Sequence, residues 1–365
     1  MKILYFIRDI SDCGGIQQTS CLGINSLLQQ EGKYQIYVAS LFHKYESCFF
    51  ELDSKAKRFA LFDEQVDTLG KFFLIKRAFT KVVNEINPDI IIVQGVAYAN
   101  YVPNRVWNES KVIVCEHGHF YMGRMFGLHW FGKEKALKRA KAIVTLTELD
   151  AENYRRNGRN NVHITTIYNP CIQRDNKSGE YDTSSRCIVS VGSLDSIKRF
   201  DHVIKAARIV FSKYPEWKWN IYGDGEERRN LQRLIEENNL QANVFLKGYE
   251  KDKRLMFEKK AFLVLTSKFE GFGMVLIEAM QFHLPIISYD VNYGPKEIVE
   301  NGVNGYLVDN GNINSLASAV EKMMENGHLR NQMAQNAYKS LDKYSLEAIS
   351  KRWVELFDFL QKDGQ

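Results

Sequence analysis

Short, continuous apolar runs recur along the chain, and several are separated by stretches of helical period. In the first half they are KILYFI (2–7), QIYVAS (35–40), DIIIVQG (89–95), KVIVCEHG (111–118) and AIVTLTE (142–148), with helical patterns such as 17–30 and 69–86 between them. Runs that are apolar throughout suit strands covered on both faces, and strands alternating with helices suit a parallel sheet wound on both sides. The rhythm breaks at IYNPCIQRDNKSGEYDTSS (167–185), a Pro-containing polar stretch that reads as an interdomain linker. It then restarts with CIVSVGSL (187–194), WKWNIYGDG (217–225), NVFLKGY (243–249), AFLVLTS (261–267), PIISYDV (285–291) and GYLVDN (305–310). At 365 residues, two domains are the natural expectation. The pattern predicts an α/β protein of two doubly wound, Rossmann-like parallel-sheet domains facing a cleft, with ligand-binding loops at the carboxyl ends of the strands. The first domain is expected over 1–165 and the second over 166–345. The tail, 346–361, is amphipathic, with Trp353, Leu356, Phe357 and Leu360 on one stripe.

Composition narrows the class. With 45% hydrophobic and 25% charged residues the chain matches a globular protein, and its net charge of +5 permits an anionic partner without requiring one. Six cysteines lie scattered without metal-type spacing, which reads as reduced thiols of a cytoplasmic protein. The opening MKILYFIRDI has an apolar run of five before Arg8 and Asp9, too short for a signal peptide and better read as a first strand. No stretch approaches the roughly 20 apolar residues of a membrane-spanning helix.

The stretch SKFEGFGMVLIEAMQFHLPIIS (267–288) carries the chemistry. Glu270 and Glu278 flank a Gly-Phe-Gly, after a buried-strand run (261–266) and into a run of good helix formers (274–280). Strand, glycine loop and helix start together form the place where anions and small molecules bind in α/β proteins. An isolated glutamate pair would more simply be a loop carboxylate and a solvated helix residue, so its company decides.

That company is specific. Glu270-Gly271-Phe272-Gly273-Met274-Val275-Leu276-Ile277-Glu278 resembles the E-x7-E signature of retaining glycosyltransferases of the GT-B fold, in particular glycosyltransferase family 4. VSVGSLDSIKRFDHVIKAA (189–207) resembles the family's strand-to-helix segment, and IYGDGEERRNLQRLI (221–235) its G-D-G-x-E segment. YGPKEIVENGVNGYLV (293–308) resembles its G-P-x-E-I…N-G-x-x-G stretch, and CGGIQQ (13–18), more loosely, its N-terminal glycine loop. The four second-half motifs stand in the family's order over about 120 residues.

The resemblance implies a role for each position. A nucleotide sugar offers vicinal hydroxyls, which carboxylates accept in pairs, and a diphosphate. Glu278 would hold the ribose and Glu270 would face the donor sugar and the reacting centre. The backbone N–H groups of Gly271, Phe272, Gly273, Met274 and Val275 would approach the sugar and diphosphate, with the helix dipole behind them. Lys198 would meet the diphosphate. Ser193 occupies the place of the family's usual Arg, so one of two expected cations is missing there, and Arg199 is the neighbouring candidate to replace it. Gly223 would shape a turn near the base. The Gly14-Gly15 turn could bring backbone close to acceptor or diphosphate, although a plain β–α turn explains it too. His117 in CEHGHFY matches a Thr-x-His-Gly frame and would contact the donor sugar, with His119 as its rival.

Other chemistry is less well supported. GDGEER (223–228) fails as a dinucleotide fingerprint because its third glycine is Arg228. No Asp-x-Asp occurs in the sequence, which suits a site without metal or other cofactor. The segment 120–142 mixes Phe120, Tyr121, Met122, Phe126, Trp130 and Phe131 with Arg124, Lys133, Lys135, Lys138, Arg139 and Lys141. It reads either as core aromatics beside solvated lysines or as a docking face for an anionic membrane; no nucleic-acid motif accompanies it.

The implied activity is transfer of a hexose from a nucleotide diphosphate sugar, UDP favoured, to a sugar hydroxyl with retained configuration and no metal. The acceptor would be a glycan or lipid-linked glycan of bacterial surface polysaccharide assembly, such as capsule or O-antigen, at the cytoplasm or the inner face of the plasma membrane. A nucleotide-sugar-binding pseudoenzyme and a GT-B-fold epimerase remain the alternatives.

Overall fold

The computed structural model describes residues 1–158, 162–171 and 181–362. The chain divides into two units, Met1–Pro170 with Tyr344–Gln365, and Cys171–Lys343.

The first unit is built on strands β1 (Lys2–Ile7), β2 (Gln35–Ser40), β3 (Lys57–Ala60), β4 (Ile90–Gln94), β5 (Lys111–Cys115), β6 (Ala142–Thr145) and β7 (His163–Thr166). They form one sheet in the order β3-β2-β1-β4-β5-β6-β7, and every pairing is parallel. The reason β1 is apolar throughout is now visible. Leu4 and Phe6 pack into one core with Phe79 of the helix Phe72–Ile86, while Ile3, Tyr5 and Ile7 pack into a second core on the other face. That second core is closed by the helix Gly15–Leu28 and the last helix, Leu346–Lys362, whose Phe357 meets Tyr34 edge-on at 6.1 Å. Ser26 and Ser350 hydroxyls join the two helices at 2.5 Å. The order reverses between β1 and β4, the switch point at which such sheets open a crevice beyond their strand ends.

The second unit repeats this plan with β8 (Cys187–Val191), β9 (Lys218–Tyr222), β10 (Val244–Gly248), β11 (Phe262–Leu265), β12 (Ile286–Tyr289) and β13 (Gly305–Val308). Their order is β10-β9-β8-β11-β12-β13, all parallel, with the switch between β8 and β11. The exits of β8 and β9 touch backbone to backbone: the N–H of Gly192 donates to Tyr222 O at 3.0 Å and that of Leu194 to Asp224 O at 2.9 Å. Gly223 has φ +136°, and a Cβ there would lie 1.8 Å from Gly192 O, so only glycine permits this approach. Among the described residues, no helix is long and apolar enough to cross a membrane.

Candidate functional site

The loop after β8 is shaped by one carboxylate. Asp195 accepts from Ser193 Oγ at 2.5 Å, from Ile197 N–H at 2.9 Å and from Lys198 N–H at 3.1 Å. The buried Thr266 hydroxyl, just past β11, donates to Lys198 O at 2.7 Å, and Lys268 N–H donates to Ile197 O at 2.8 Å. These bonds tie the loops on both sides of the switch point together, and they bring Lys198 to Glu270. The Lys198 Nζ donates to Glu270 Oε1 at 2.6 Å, and Ser267 Oγ donates to the same oxygen at 2.6 Å. A partly buried carboxylate with a cation and a hydroxyl on one oxygen keeps its other oxygen for a further donor.

Beyond Glu270 the chain turns through Gly271 and the buried Phe272 to Gly273, at φ +87°, before the helix Met274–Met280. This turn is supported by Gly294, at φ +79°, where a Cβ would lie 2.1 Å from Phe272 O. The Gly-Pro segment thus has a mechanical purpose, letting loop 293–295 back directly onto the glycine loop. The helix is only two turns long, so its dipole is a smaller part of the site's charge than the sequence suggests. On that helix Glu278 Oε1 accepts from Lys253 Nζ at 2.6 Å.

Two of the expected donor-binding residues point elsewhere. Arg199, left-handed at φ +50° at the start of the helix Phe200–Phe211, sends its guanidinium to Asn310 Oδ1 at 2.8 Å, so it does not join the Lys198–Glu270 group. Ser193 is taken up by Asp195. The second cation of this region is Lys253, far from Lys198 in sequence and absent from the sequence-based expectation.

In the first unit, the corresponding strand ends carry a second polar group. His117 Nε2 lies 2.6 Å from Gln94 Oε1, at the end of β4. Desolvation pushes the imidazole down to about 4, so it is neutral at pH 7. The buried Glu116 accepts from Gly118 N–H at 2.8 Å, His129 Nε2 at 2.9 Å and Tyr154 OH at 2.7 Å. Burial alone would raise its pKa, but the bonds and charge from His129, Tyr154 and Gly118 outweigh burial and hold it below the usual carboxylate range. Asp150 accepts from Phe120 N–H at 2.8 Å, and burial pushes its carboxyl up to about 7. These bonds fix the loop 116–120. A small cavity of about 40 Å³ lies beside it, lined by Ser20, Gln94, His117, Tyr168, Asn169 and Trp353 among others. His119, partly buried, has its imidazole pKa lowered by desolvation. Gly14 has extended backbone and Gly15 begins the helix Gly15–Leu28.

The segment 120–142 divides between the two expected readings. Lys133 is buried and donates to Phe120 O at 2.8 Å, and Lys135 donates to Val102 O at 2.6 Å. Both ammonium groups are turned onto backbone carbonyls of their own unit, Lys133 from a buried side chain and Lys135 from a half-buried one. Tyr121, Met122, Met125, Phe126 and Phe131, by contrast, are exposed.

Gln94, Glu116, Lys253 and Ser267 were not singled out by sequence. The usable signals were a glutamine closing the apolar run IIIVQ and a glutamate directly after KVIVC, since polar residues at the ends of buried strands face the crevice.

Comparison with known proteins bears on the family and the fold. Residues 172–340 match the family of glycosyl transferases group 1. A Haemophilus influenzae protein described as an uncharacterized glycosyltransferase is 29% identical over 354 residues, covering 96% of this chain and 98% of that one. The poly(ribitol-phosphate) alpha-N-acetylglucosaminyltransferase of Staphylococcus aureus is 32% identical over 223 residues, 61% of this chain. This chain spans only 43% of that relative's length. The crystal structure of S. aureus TarM in complex with Fondaparinux, alpha-GlcNAc-glycerol and UDP superposes with TM-score 0.79 at 18% identity, covering 98% of this chain and 99% of that one. A glycosyl transferases group 1 domain over 172–340, set in a chain of two Rossmann-like parallel-sheet units, supports a GT-B glycosyltransferase.

Proposed function

We propose that the chain is a retaining hexosyltransferase of glycosyltransferase family 4 that uses a nucleotide diphosphate sugar and needs no metal ion. The observation that carries this reading is the Lys198–Glu270–Ser267 group at the β8/β11 switch point, with the Lys253–Glu278 pair on the adjoining helix. An ammonium has three donors, and Lys198 gives one to Glu270, leaving others for a diphosphate. As the sugar–phosphate bond breaks, negative charge grows on the leaving oxygen, and a fixed cation there stabilises it without reorganisation. Glu278 holds the ribose hydroxyls, and Lys253 orients that carboxylate. UDP is the favoured nucleotide, supported by the UDP in the TarM complex.

The acceptor hydroxyl oxygen bonds to the anomeric carbon on the face the diphosphate leaves, the anomeric carbon–oxygen bond breaks, and the acceptor's proton passes to the leaving diphosphate. Glu270 meets the positive charge that develops on the sugar, and the amides of Gly271–Met274 meet the negative charge on the leaving diphosphate. His117, neutral at pH 7, contacts the donor sugar as a hydrogen-bonding group rather than as a cation. The acceptor is a glycan or lipid-linked glycan of bacterial surface polysaccharide, reached from the cytoplasm at the inner face of the membrane. The test is the configuration of the product: nuclear magnetic resonance of the glycoside made from an α-linked donor gives an α-linkage, and a β-linked product would refute retention.

A further inference from the structure

The helix Phe72–Ile86 buries one complete stripe, Ile75, Phe79, Val83 and Ile86. Its first turn and the residues before it nevertheless present a second apolar set to solvent: Leu69 is 66% exposed, Phe73 82% and Leu74 54%. The core does not use these side chains. Phe72, by contrast, is turned inward, its ring 5.3 Å from that of Tyr101. Residues 68–84, TLGKFFLIKRAFTKVVN, contain Lys71, Lys76, Arg77 and Lys81 and no acid. Phe73, Arg77 and Lys81 fall at i, i+4 and i+8, along one side of the helix. Glu85 follows Lys81 by four residues and closes the row at its carboxyl end, so the cations outnumber the acid four to one over 71–86; upstream, Asp67 is occupied by the N–H groups of Leu69 and Gly70. The 3-10 turn Val96–Tyr101 packs against this helix and against Leu128–Arg139, which carries the exposed Phe131.

Exposed Phe and Leu beside a net-cationic helix face is the chemistry of a helix whose end lies in the interface of an anionic bilayer: apolar side chains enter the acyl boundary and the cations meet headgroups. We infer that the amino-terminal end of helix Phe72–Ile86 docks on an anionic lipid surface, inserting Leu69, Phe73 and Leu74 and placing Lys71, Arg77 and Lys81 at the headgroups. This rests on the reading that the acceptor is membrane-linked, and it moves the main contact away from Lys133 and Lys135.

The experiment is co-sedimentation of the full chain with vesicles of phosphatidylcholine, with and without one-third phosphatidylglycerol. Three variants are compared with the parent: F73S/L74S, K71Q/R77Q/K81Q and F126S/F131S. The parent is expected to bind the acidic vesicles and not the neutral ones. At about fivefold per cation, the triple charge variant should lose about 100-fold in partition coefficient. The F73S/L74S variant should lose at least tenfold. Hydrolysis of a UDP-sugar by the same samples without lipid should stay at the parent's rate, which reports on the glycosyltransferase reading separately. No binding by the parent, or loss only in F126S/F131S, would overturn the inference. So would a dimer of the parent that F73S/L74S dissociates in the absence of lipid binding, because the occupant of the patch would then be a second copy.

Discussion

Glu270 and Glu278 each hold a lysine at 2.6 Å, and neither lysine is near its partner in sequence. On the proposed reading, these contacts set what each carboxylate contributes. Glu270 is held by Lys198 and Ser267, so its conformation is set before any donor arrives, and preorganisation of this kind makes a contact effective in the transition state. Glu270→Gln keeps the shape, removes the charge and releases Lys198. Turnover should fall by about 10²-fold or more, on the scale of losing one preorganised contact, while UDP affinity is kept or rises because the Lys198 cation is no longer neutralised. Steady-state kinetics beside calorimetric UDP binding separates the two effects. Near-parental turnover would remove Glu270 from the reacting centre.

The loops that hold these residues depend on elements whose legibility in the sequence differs. Interior strands such as β4 were readable because burial on both faces demands apolar residues throughout. The first sheet's edge strands β3, KRFA, and β7, HITT, were not, because charged and polar residues break the continuous apolar run in these two. The site divides in the same way. Glu270, Glu278 and Lys198 stand inside ordered motifs, whereas Lys253 in the second unit and Gln94 in the first meet their partners only through strand order, which local sequence does not encode. Lys133 and Lys135 read as surface charges because the carbonyls they reach, Phe120 O and Val102 O, are invisible in a residue list. The last helix carries a consequence at this scale. Phe357 is fully buried in the first unit's second core, so Phe357→Ala should cost about 3–5 kcal/mol. Denaturant unfolding would register this in the transition of the first unit, and a loss below about 1 kcal/mol would show that the helix is not part of that core.

Across the whole chain, one topological rule has been used twice. Each unit reverses strand order once, between β1 and β4 and between β8 and β11, and Gln94, His117, Lys198 and Glu270 lie at the ends of those strands or of their neighbours, or just past them. The two sites differ in chemistry. The first unit offers a neutral imidazole on a loop fixed by the buried Glu116, which suits recognition of hydroxyls. The second offers two lysine–carboxylate pairs, which suit a diphosphate and a ribose. Lys198 and its neighbours are proposed to supply the charge that a divalent ion supplies elsewhere, so chelation should leave the enzyme unaffected. The direct measurement is nucleotide release by the full chain from a panel of UDP-, GDP- and ADP-sugars, with and without EDTA, beside thermal-shift binding of each. Slow hydrolysis of one UDP-sugar at a rate EDTA does not change is the predicted result. Binding of no donor, or turnover that EDTA abolishes, would contradict a metal-free donor site built on Lys198, Glu270 and Glu278.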